Sequence, residues 1–155
     1  MFCVGEKVCY PMHGIGVIEA LEEKEVLGKV AKYYVVRLQR GKIAAMVPVD
    51  GAKKVGLRYV AGADEAKALL DFMKKPPTPE PDNWNQRQRE NLDLMKEGSI
   101  FSVAEVVKRL SCRRDGRGLC TGDTKMLNLA KDILVEELCA AAGMEPERAE
   151  NELGI

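Results

Sequence analysis

The stretch P-P-T-P-E-P-D-N-W-N-Q-R-Q-R-E-N-L-D-L-M (76–95) decides how this chain is organised. Four prolines within six residues fix φ and remove backbone donors, so they predict an extended, semi-rigid spacer that joins two units. A helix is expected directly after the spacer, with Asp82 or Asn83 as its N-cap. Since 155 residues are enough for two small domains, we expect one on each side of the spacer.

Trp84 is the only tryptophan of the chain and follows the spacer at once. Arg87 and Arg89 come shortly after it, within the predicted start of the helix. An exposed indole beside guanidinium groups suits a nucleic-acid surface, where the ring wedges or stacks and the arginines hold phosphates. A tryptophan near a domain junction is also typical of a plug buried in an interface. The residues of this stretch leave both alternatives open.

The charge of the chain is balanced overall but unevenly distributed. There are 24 basic and 24 acidic residues, so charge alone predicts weak affinity for nucleic acid. The formal charge is +4 over residues 1–61, −2 over 62–82, +3 over 83–120 and −5 over 121–155. Basic side chains of the second half would form a phosphate-binding patch only if they clustered on the face of Trp84. The candidates are Arg87, Arg89, Lys108, Arg109, Arg113, Arg114, Arg117 and Lys125.

The cysteines and the histidine do not form a recognisable metal or catalytic motif. Free thiols are expected because the cysteines include no C-x-x-C pair. The five are Cys3, Cys9, Cys112, Cys120 and Cys139. His13, the only histidine, lies in P-M-H-G-I-G without a nucleophile motif or a phosphate loop, so we expect a turn residue. We expect no enzyme, no metal and no cofactor.

The sequence also predicts a cytoplasmic protein. The start M-F-C-V-G-E-K lacks the apolar core of a signal peptide. No run of apolar residues approaches the ~20 that a membrane span needs.

Residues 1–61 predict a small all-β unit. Clusters of β-branched and aromatic residues recur at the spacing of a small antiparallel barrel, with glycines at the bends between them. Pro48 should close the fourth strand because it cannot donate to a ladder. Such a barrel is typical of a binding module, since its core is too small for an internal cavity and its edge strands can accept another strand.

After Asp64 the apolar spacing becomes helical. A first helix is expected to lead off the barrel into the spacer, and a small helical bundle is expected after Trp84. Its helices are predicted over 84–97 with Gly98 as the stop, over about 103–110 with Ser99 or Ser102 as the cap, from Thr121 as the cap to Gly143, and over 147–153 after Pro146.

Four ordered blocks of sequence resemble the CarD/CdnL family of bacterial transcription regulators. F-C-V-G-E-K-V-C-Y-P-M-H-G-I-G-V-I (2–18) is similar to the family's opening pattern, V-G-D-x-V-x-Y-P followed by G-x-G. V-P (47–48) and V-G-L-R (55–58) resemble the end of its β domain. N-W-N-Q-R-Q-R-E-N-L (83–92) resembles its W-x-x-R-x-R/K segment. V-A-E-V-V-K-R-L (103–110) and residues 118–138 resemble its two longest helices.

The resemblance implies an α+β fold with three parts. These are a Tudor-like, RNA polymerase-interacting barrel over residues 1–61, a helix with a proline-rich linker over 62–82, and a helical DNA-binding domain over 83–155. Family members pair a barrel strand with the polymerase β subunit. They also contact promoter DNA at the upstream edge of the transcription bubble, largely independently of sequence.

The resemblance also assigns roles to single residues. Trp84 matches the family's minor-groove wedge. The implied phosphate contacts are Arg87, Arg89 and Lys125. The implied polymerase contacts are Lys24, Met46, Val47 and Pro48, with Met46 standing where some relatives carry arginine.

The expected function is therefore to stabilise the open promoter complex, in a monomer that does not bind membranes. The alternative is a β-barrel protein-interaction module with a helical appendage and no role on DNA. A buried Trp84 and dispersed basic side chains would favour that alternative.

Overall fold

The computed structural model describes residues 2–155. The chain divides into two compact units, Met1–Val60 and Ala61–Ile155. The first is built from strands and the second from helices, which confirms the predicted α+β class. None of the helices in the described part of the chain is both long and apolar enough to span a bilayer.

The first unit is one five-stranded antiparallel sheet with the strand order β4-β3-β2-β1-β5. The strands are β1 (Lys7–Tyr10), β2 (Gly14–Val26), β3 (Lys29–Leu38), β4 (Ala44–Pro48) and β5 (Arg58–Tyr59). Pro48 ends β4, as predicted. One face of the sheet covers an apolar core, which consists of Val8, Ile18, Tyr34, Val36, Leu38, Val47, Ala52 and Leu57.

Strands β2 and β3 continue past β4 as a two-stranded ribbon, residues 24–31. Leu27 and Gly28 join them with φ angles of 52° and 77°, and two positive φ values are what a type I′ hairpin turn requires. Leu27 is 98% exposed. The sequence pattern did not predict this ribbon, because a ribbon exposed on both faces does not alternate apolar and polar residues.

Gly16 serves close packing, although the glycines of this unit were predicted to lie at bends. It lies within β2 opposite Leu38. A Cβ at this position would lie 2.6 Å from Cγ1 of Val36 and 3.0 Å from the carbonyl oxygen of Arg37. The absence of a side chain therefore allows the core side chains of β3 to pack against the backbone of β2.

The second unit contains five helices. They are α1 (Ala63–Met73), α2 (Trp84–Glu97), α3 (Ile100–Gly116), α4 (Thr121–Ala142) and α5 (Pro146–Leu153). Helix α3 packs against α1, α2 and α4, while α5 packs against α4. The core is drawn mainly from α3 and α4, including Val103, Val106, Val107, Leu110, Leu127, Ile133, Leu134 and Leu138.

Most helix ends follow the predicted signals, but α3 continues to Gly116, beyond the predicted 103–110, and the cap of α4 differs from the prediction. Asn83 caps α2 by accepting a hydrogen bond from the Gln86 N–H, and Gly98 ends that helix with a φ of 92°. Ser99 caps α3. The cap of α4 is Cys120, whose Sγ accepts from the Asp123 N–H at 3.4 Å, so the prediction of Thr121 was wrong by one residue. Cysteine was missed because it is not among the usual capping residues.

The proline-rich segment lies within the second unit and does not link two units. The N–H and hydroxyl of Thr78 donate to Oε1 of Glu105 on α3, at 2.6 and 2.8 Å. Helix α1, which was expected to lead off the barrel, also belongs to the second unit. The proline content predicted an extended backbone. It could not predict that the segment packs against α3 through the carboxylate of Glu105.

Candidate functional site

Trp84 is the first residue of α2 and is 49% exposed. Its Nε1–H donates to Sγ of Cys120 at 3.4 Å. Its Cζ2 lies 3.9 Å from the position that a Cβ on Gly122 would occupy, so the ring rests against the start of α4. One side of the indole is thus supported by protein, while about half of the side chain faces solvent. This arrangement differs from a plug buried in a domain interface.

Arg87 lies inside the unit and does not belong to the exposed surface. It is 3% exposed, and its guanidinium lies 3.7 Å from Oδ2 of Asp123 and 3.8 Å from Oε2 of Glu80. Its Nη1 donates to the carbonyl oxygen of Asp82 at 3.4 Å. The predicted phosphate contact at Arg87 therefore requires correction, because a buried guanidinium with acidic partners cannot reach a phosphate.

The sequence did contain a signal for the burial of Arg87. Met95 was expected to face inward, and helical residues four apart lie on the same face. Stepping back from Met95 in fours reaches Asn91 and then Arg87, and all three are buried. Because Arg87 and Asn91 are polar, the sequence pattern did not identify this side of α2 as buried.

Lys125 and Arg89 are both exposed. Lys125 follows Gly122 by three residues on α4, so its Cβ lies on the helix face that supports the indole. Arg89 lies five residues after Trp84, which is a rotation of ~140° around α2. Helical periodicity therefore places Lys125 on the side of α4 that supports the indole, and Arg89 further round α2.

Two more of the eight candidate basic residues are structural. Lys108 is 7% exposed, its Nζ donates to the carbonyl oxygen of Phe72 at 3.0 Å, and it lies 3.7 Å from the centre of the Phe72 ring. Arg109 is largely buried and bonds to Oγ1 of Thr78 with two nitrogens. The basic patch is accordingly smaller than the sequence predicted. The remaining exposed or half-buried members are Arg89, Arg113, Arg114, Arg117 and Lys125.

Glu105 is the anion at the centre of this interior network. Burial acts to raise the pKa of Glu105, but the two hydrogen bonds from Thr78 and the charge of Lys108 outweigh it, so the pKa is lowered. The Lys108 Nζ lies 3.4 Å from Oε2 of Glu105. The ionised carboxylate thus stabilises the packing of the proline-rich segment on α3.

Asp123 is a functional candidate that was not predicted from the sequence. It is 1% exposed in the first turn of α4, where its charge complements the helix macrodipole. Its Oδ1 accepts from Nε2 of Gln88 at 2.5 Å, in addition to the ion pair with Arg87. An acidic residue in a first turn is common on a solvated face, so nothing in the local sequence distinguished this one.

The four candidate polymerase contacts lie on strands β2 and β4. Lys24 pairs with Ala31, and Met46 with Val35, while Val47 pairs with the core residue Tyr34. Alternation along each strand therefore directs Lys24, Met46 and Pro48 away from the core. Met46 is 37% exposed, whereas Val47 is 1% exposed, so the side chain of Val47 belongs to the core.

Strand β4 is an edge strand, and its backbone shows which groups face outward. Leu38 donates to the carbonyl oxygen of Ile43, and Val49 to that of Lys32. Since bonded pairs alternate along an antiparallel ladder, Val47 bonds to β3 and the N–H and C=O of Met46 face the open edge. Within the described sheet, no further strand pairs with β4.

Apart from Cys120, which accepts from the indole of Trp84, His13 and the cysteines have no identified role at these surfaces. His13 lies in the turn after β1, where its N–H donates to the carbonyl oxygen of Tyr10 at 2.9 Å. None of the five cysteines, all within the described residues, forms a disulfide. Among residues 2–155, no three His, Cys, Asp or Glu side chains converge to hold a metal ion.

Comparison with known proteins gives concordant matches along the chain. Residues 2–61 match the family model described as "CarD-like/TRCF RID domain", and residues 68–154 match the one described as "CarD, C-terminal domain". The chain is 33% identical over 144 residues to a protein of Bacillus subtilis (strain 168) named "Putative transcription factor YdeB". The match covers 93% of this chain and 94% of that relative.

Proposed function

Because the chain belongs to the CarD family of transcription factors, we propose that it regulates transcription initiation by stabilising the open promoter complex. In this proposal, the first unit docks on the β subunit of RNA polymerase and the second contacts promoter DNA at the upstream edge of the bubble. The observation that carries the DNA half is the half-exposed indole of Trp84, supported on one side by the start of α4.

The indole acts as a wedge in the minor groove. Unstacking a base step costs a few kcal/mol, and stacking a base on an aromatic ring returns roughly 1–3 kcal/mol. Insertion is therefore favourable where polymerase has already opened the duplex. Since a ligand shifts an equilibrium only by its differential affinity, the protein favours the melted state over the closed one.

Lys125 supplies the phosphate contact beside the indole, and Arg89 supplies a second one further round α2. Neither residue reads a base, so the contact is independent of promoter sequence. Arg87 has no place in this contact because it is buried. Few cations and a net charge of zero make the affinity for free DNA weak.

Docking on polymerase compensates for that weak affinity by raising the local concentration of the second unit at the promoter. The open edge of β4 suits pairing with a strand of the β subunit. The outward backbone groups of Met46 supply the hydrogen bonds, while Lys24 and Pro48 lie on the outer face of the sheet.

Trp84→Ala provides the direct test of the DNA contact. We expect this variant to bind polymerase normally and to shorten the lifetime of open complexes by about tenfold relative to the wild type, the loss of one stacking interaction. Complex lifetime is measured after a heparin challenge on a promoter fragment with purified holoenzyme. An unchanged lifetime with Trp84→Ala would remove the wedge from the proposal.

Lys24→Glu tests the docking half separately. We expect weaker binding to the purified β subunit, with the melting temperature unchanged because Lys24 is exposed. Lys54→Glu, an equal charge change at an exposed turn outside the sheet, is the matched control. Equal binding by both variants would contradict docking through this face.

A further inference from the structure

We propose that the buried ion pair of Arg87 and Asp123 positions Trp84, by fixing the first turn of α2 against the first turn of α4. The inference rests on the proposed function, because it assigns a role within the same surface. Arg87 and Asp123 are 3% and 1% exposed, so neither can contact DNA. Their influence on DNA must pass through the residues that they hold in place.

The start of α4 receives three side chains from the first two turns of α2. Asp123 accepts from Gln88 at 2.5 Å and lies 3.7 Å from Arg87. Cys120 accepts from the indole of Trp84 at 3.4 Å. The N–H of Asp123 donates to the same Sγ of Cys120, also at 3.4 Å. The group that holds the indole is therefore hydrogen-bonded to the residue that holds Arg87 and Gln88.

Arg87 connects this cluster to the segment that precedes α2. Its guanidinium lies 3.8 Å from Glu80, and Glu80 also accepts from Nδ2 of Asn91 at 3.3 Å. Nη1 of Arg87 also donates to the carbonyl oxygen of Asp82, two residues before Trp84. One buried cation thus joins the approach to α2, the helix itself and the start of α4.

The same geometry separates the structural charges from the exposed ones. Arg87 and Arg89 are two residues apart on α2, as are Asp123 and Lys125 on α4. Two residues correspond to a rotation of ~200° on a helix. When one charged residue faces inward, the residue two positions later therefore faces outward. Pairing Arg87 with Asp123 therefore fixes the directions of both exposed cations as well as the ring.

Positioning matters here because Trp84 is the first residue of its helix and half of its side chain has no protein neighbour. A ring that moves freely must lose that freedom when it inserts into DNA. Holding it in its bound orientation lowers the entropic cost of binding. The buried pair supplies this preorganisation without contacting DNA.

The experiment compares Asp123→Asn with Glu137→Gln. Both acids lie on α4 and are 1% exposed, and they are 14 residues apart, which is ~21 Å along a helix. We expect Asp123→Asn to red-shift Trp84 emission, to raise its quenching by iodide in the free protein, and to shorten the open-complex lifetime by about threefold or more. Glu137→Gln should lower the melting temperature while leaving emission, quenching and lifetime at wild-type values.

The proposal is overturned if Asp123→Asn keeps wild-type quenching, or if Glu137→Gln changes quenching and lifetime equally, since both results indicate a purely structural role. If Asp123→Asn does not fold, Arg87→Lys decides, because it keeps the buried charge but has one nitrogen in place of a planar fork. The same changes are expected with Arg87→Lys, and wild-type quenching would overturn the proposal.

Failure of the proposed function would be seen separately. In that case wild-type protein and Trp84→Ala give the same open-complex lifetime. The quenching of Trp84 in the free protein still tests whether Arg87 and Asp123 hold the ring.

Discussion

The interiors of the two units differ in kind. In the first unit, the core beneath the sheet is apolar and is formed by side chains from β1 to β4 and the turns that follow. The second unit buries six polar or charged side chains: Arg87, Asn91, Glu105, Lys108, Asp123 and Glu137. An apolar core responds to lost volume, whereas a buried ion pair responds to the loss of either partner. Charge deletions should therefore affect the second unit far more than the first.

The largest effect is expected for Arg87→Ala. It leaves the carboxylates of Asp123 and Glu80 without their buried cation, and breaking such a pair costs about 3–5 kcal/mol of unfolding free energy. The exposed Arg89→Ala, on the same helix, should change that energy by less than about 0.5 kcal/mol. Unfolding in guanidinium chloride, followed by Trp84 fluorescence, measures the stability of the second unit because the only tryptophan lies there. Equal midpoints for the two variants would contradict the buried pair as a source of stability.

A smaller effect is expected from protonating Glu105. Its lowered pKa means that folding favours the carboxylate, so this stability is complete above the ordinary value of 4.5 and is lost as the pH falls through the folded pKa. Glu105→Gln should therefore be less stable than the wild type at pH 7, with the difference shrinking below pH 4.5. Urea unfolding at pH 7, 5 and about 3.5 measures this difference. Glu147→Gln, at an exposed position of α5, is the control. A loss of unfolding free energy in Glu105→Gln that does not change with pH would contradict this account.

The smallest effect belongs to the ribbon of the first unit, where no buried charge is involved. Leu27 has a positive φ that asparagine tolerates better, so Leu27→Asn should raise the unfolding free energy by roughly 0.5 kcal/mol. Leu27→Val should lower it, because a β-branched residue is strained in that conformation. Thermal melting followed by circular dichroism ranks the three proteins. The melting temperature should be highest for Leu27→Asn, intermediate for the wild type and lowest for Leu27→Val. Any other order would contradict the type I′ turn.

Local signals in the sequence predicted most helical boundaries of the second unit, although the end of α3 and the cap of α4 were missed. Asn83, Gly98 and Gly143 carried the start or stop signals of their helices because capping depends on neighbouring residues alone. The interior charges were not predictable in the same way. Whether an arginine faces solvent or a carboxylate depends on residues up to 36 positions away, as for Arg87 and Asp123.

The candidate site was predictable only in part for the same reason. Trp84 and the family resemblance were visible in one contiguous stretch of sequence. The support of the ring by Cys120 and Gly122 was not, because these residues belong to another helix. Whether Arg87 or Arg89 is buried depends on which side of α2 packs against the rest of the unit. That side could not be recognised in the sequence because residues 87 and 91 are polar.

The sequence by itself determined the α+β class, the family and the order in which a β unit is followed by helices, and it indicated Trp84 as the candidate DNA contact. These properties follow from short-range periodicity, from capping and turn residues, and from motifs that are contiguous in the chain. The tertiary structure alone decided that the proline-rich segment packs on α3, that Arg87 is buried and that the edge of β4 exposes Met46. Each of these depends on partners distant in sequence, since burial and pairing are set by packing between elements and not by the local order of residues.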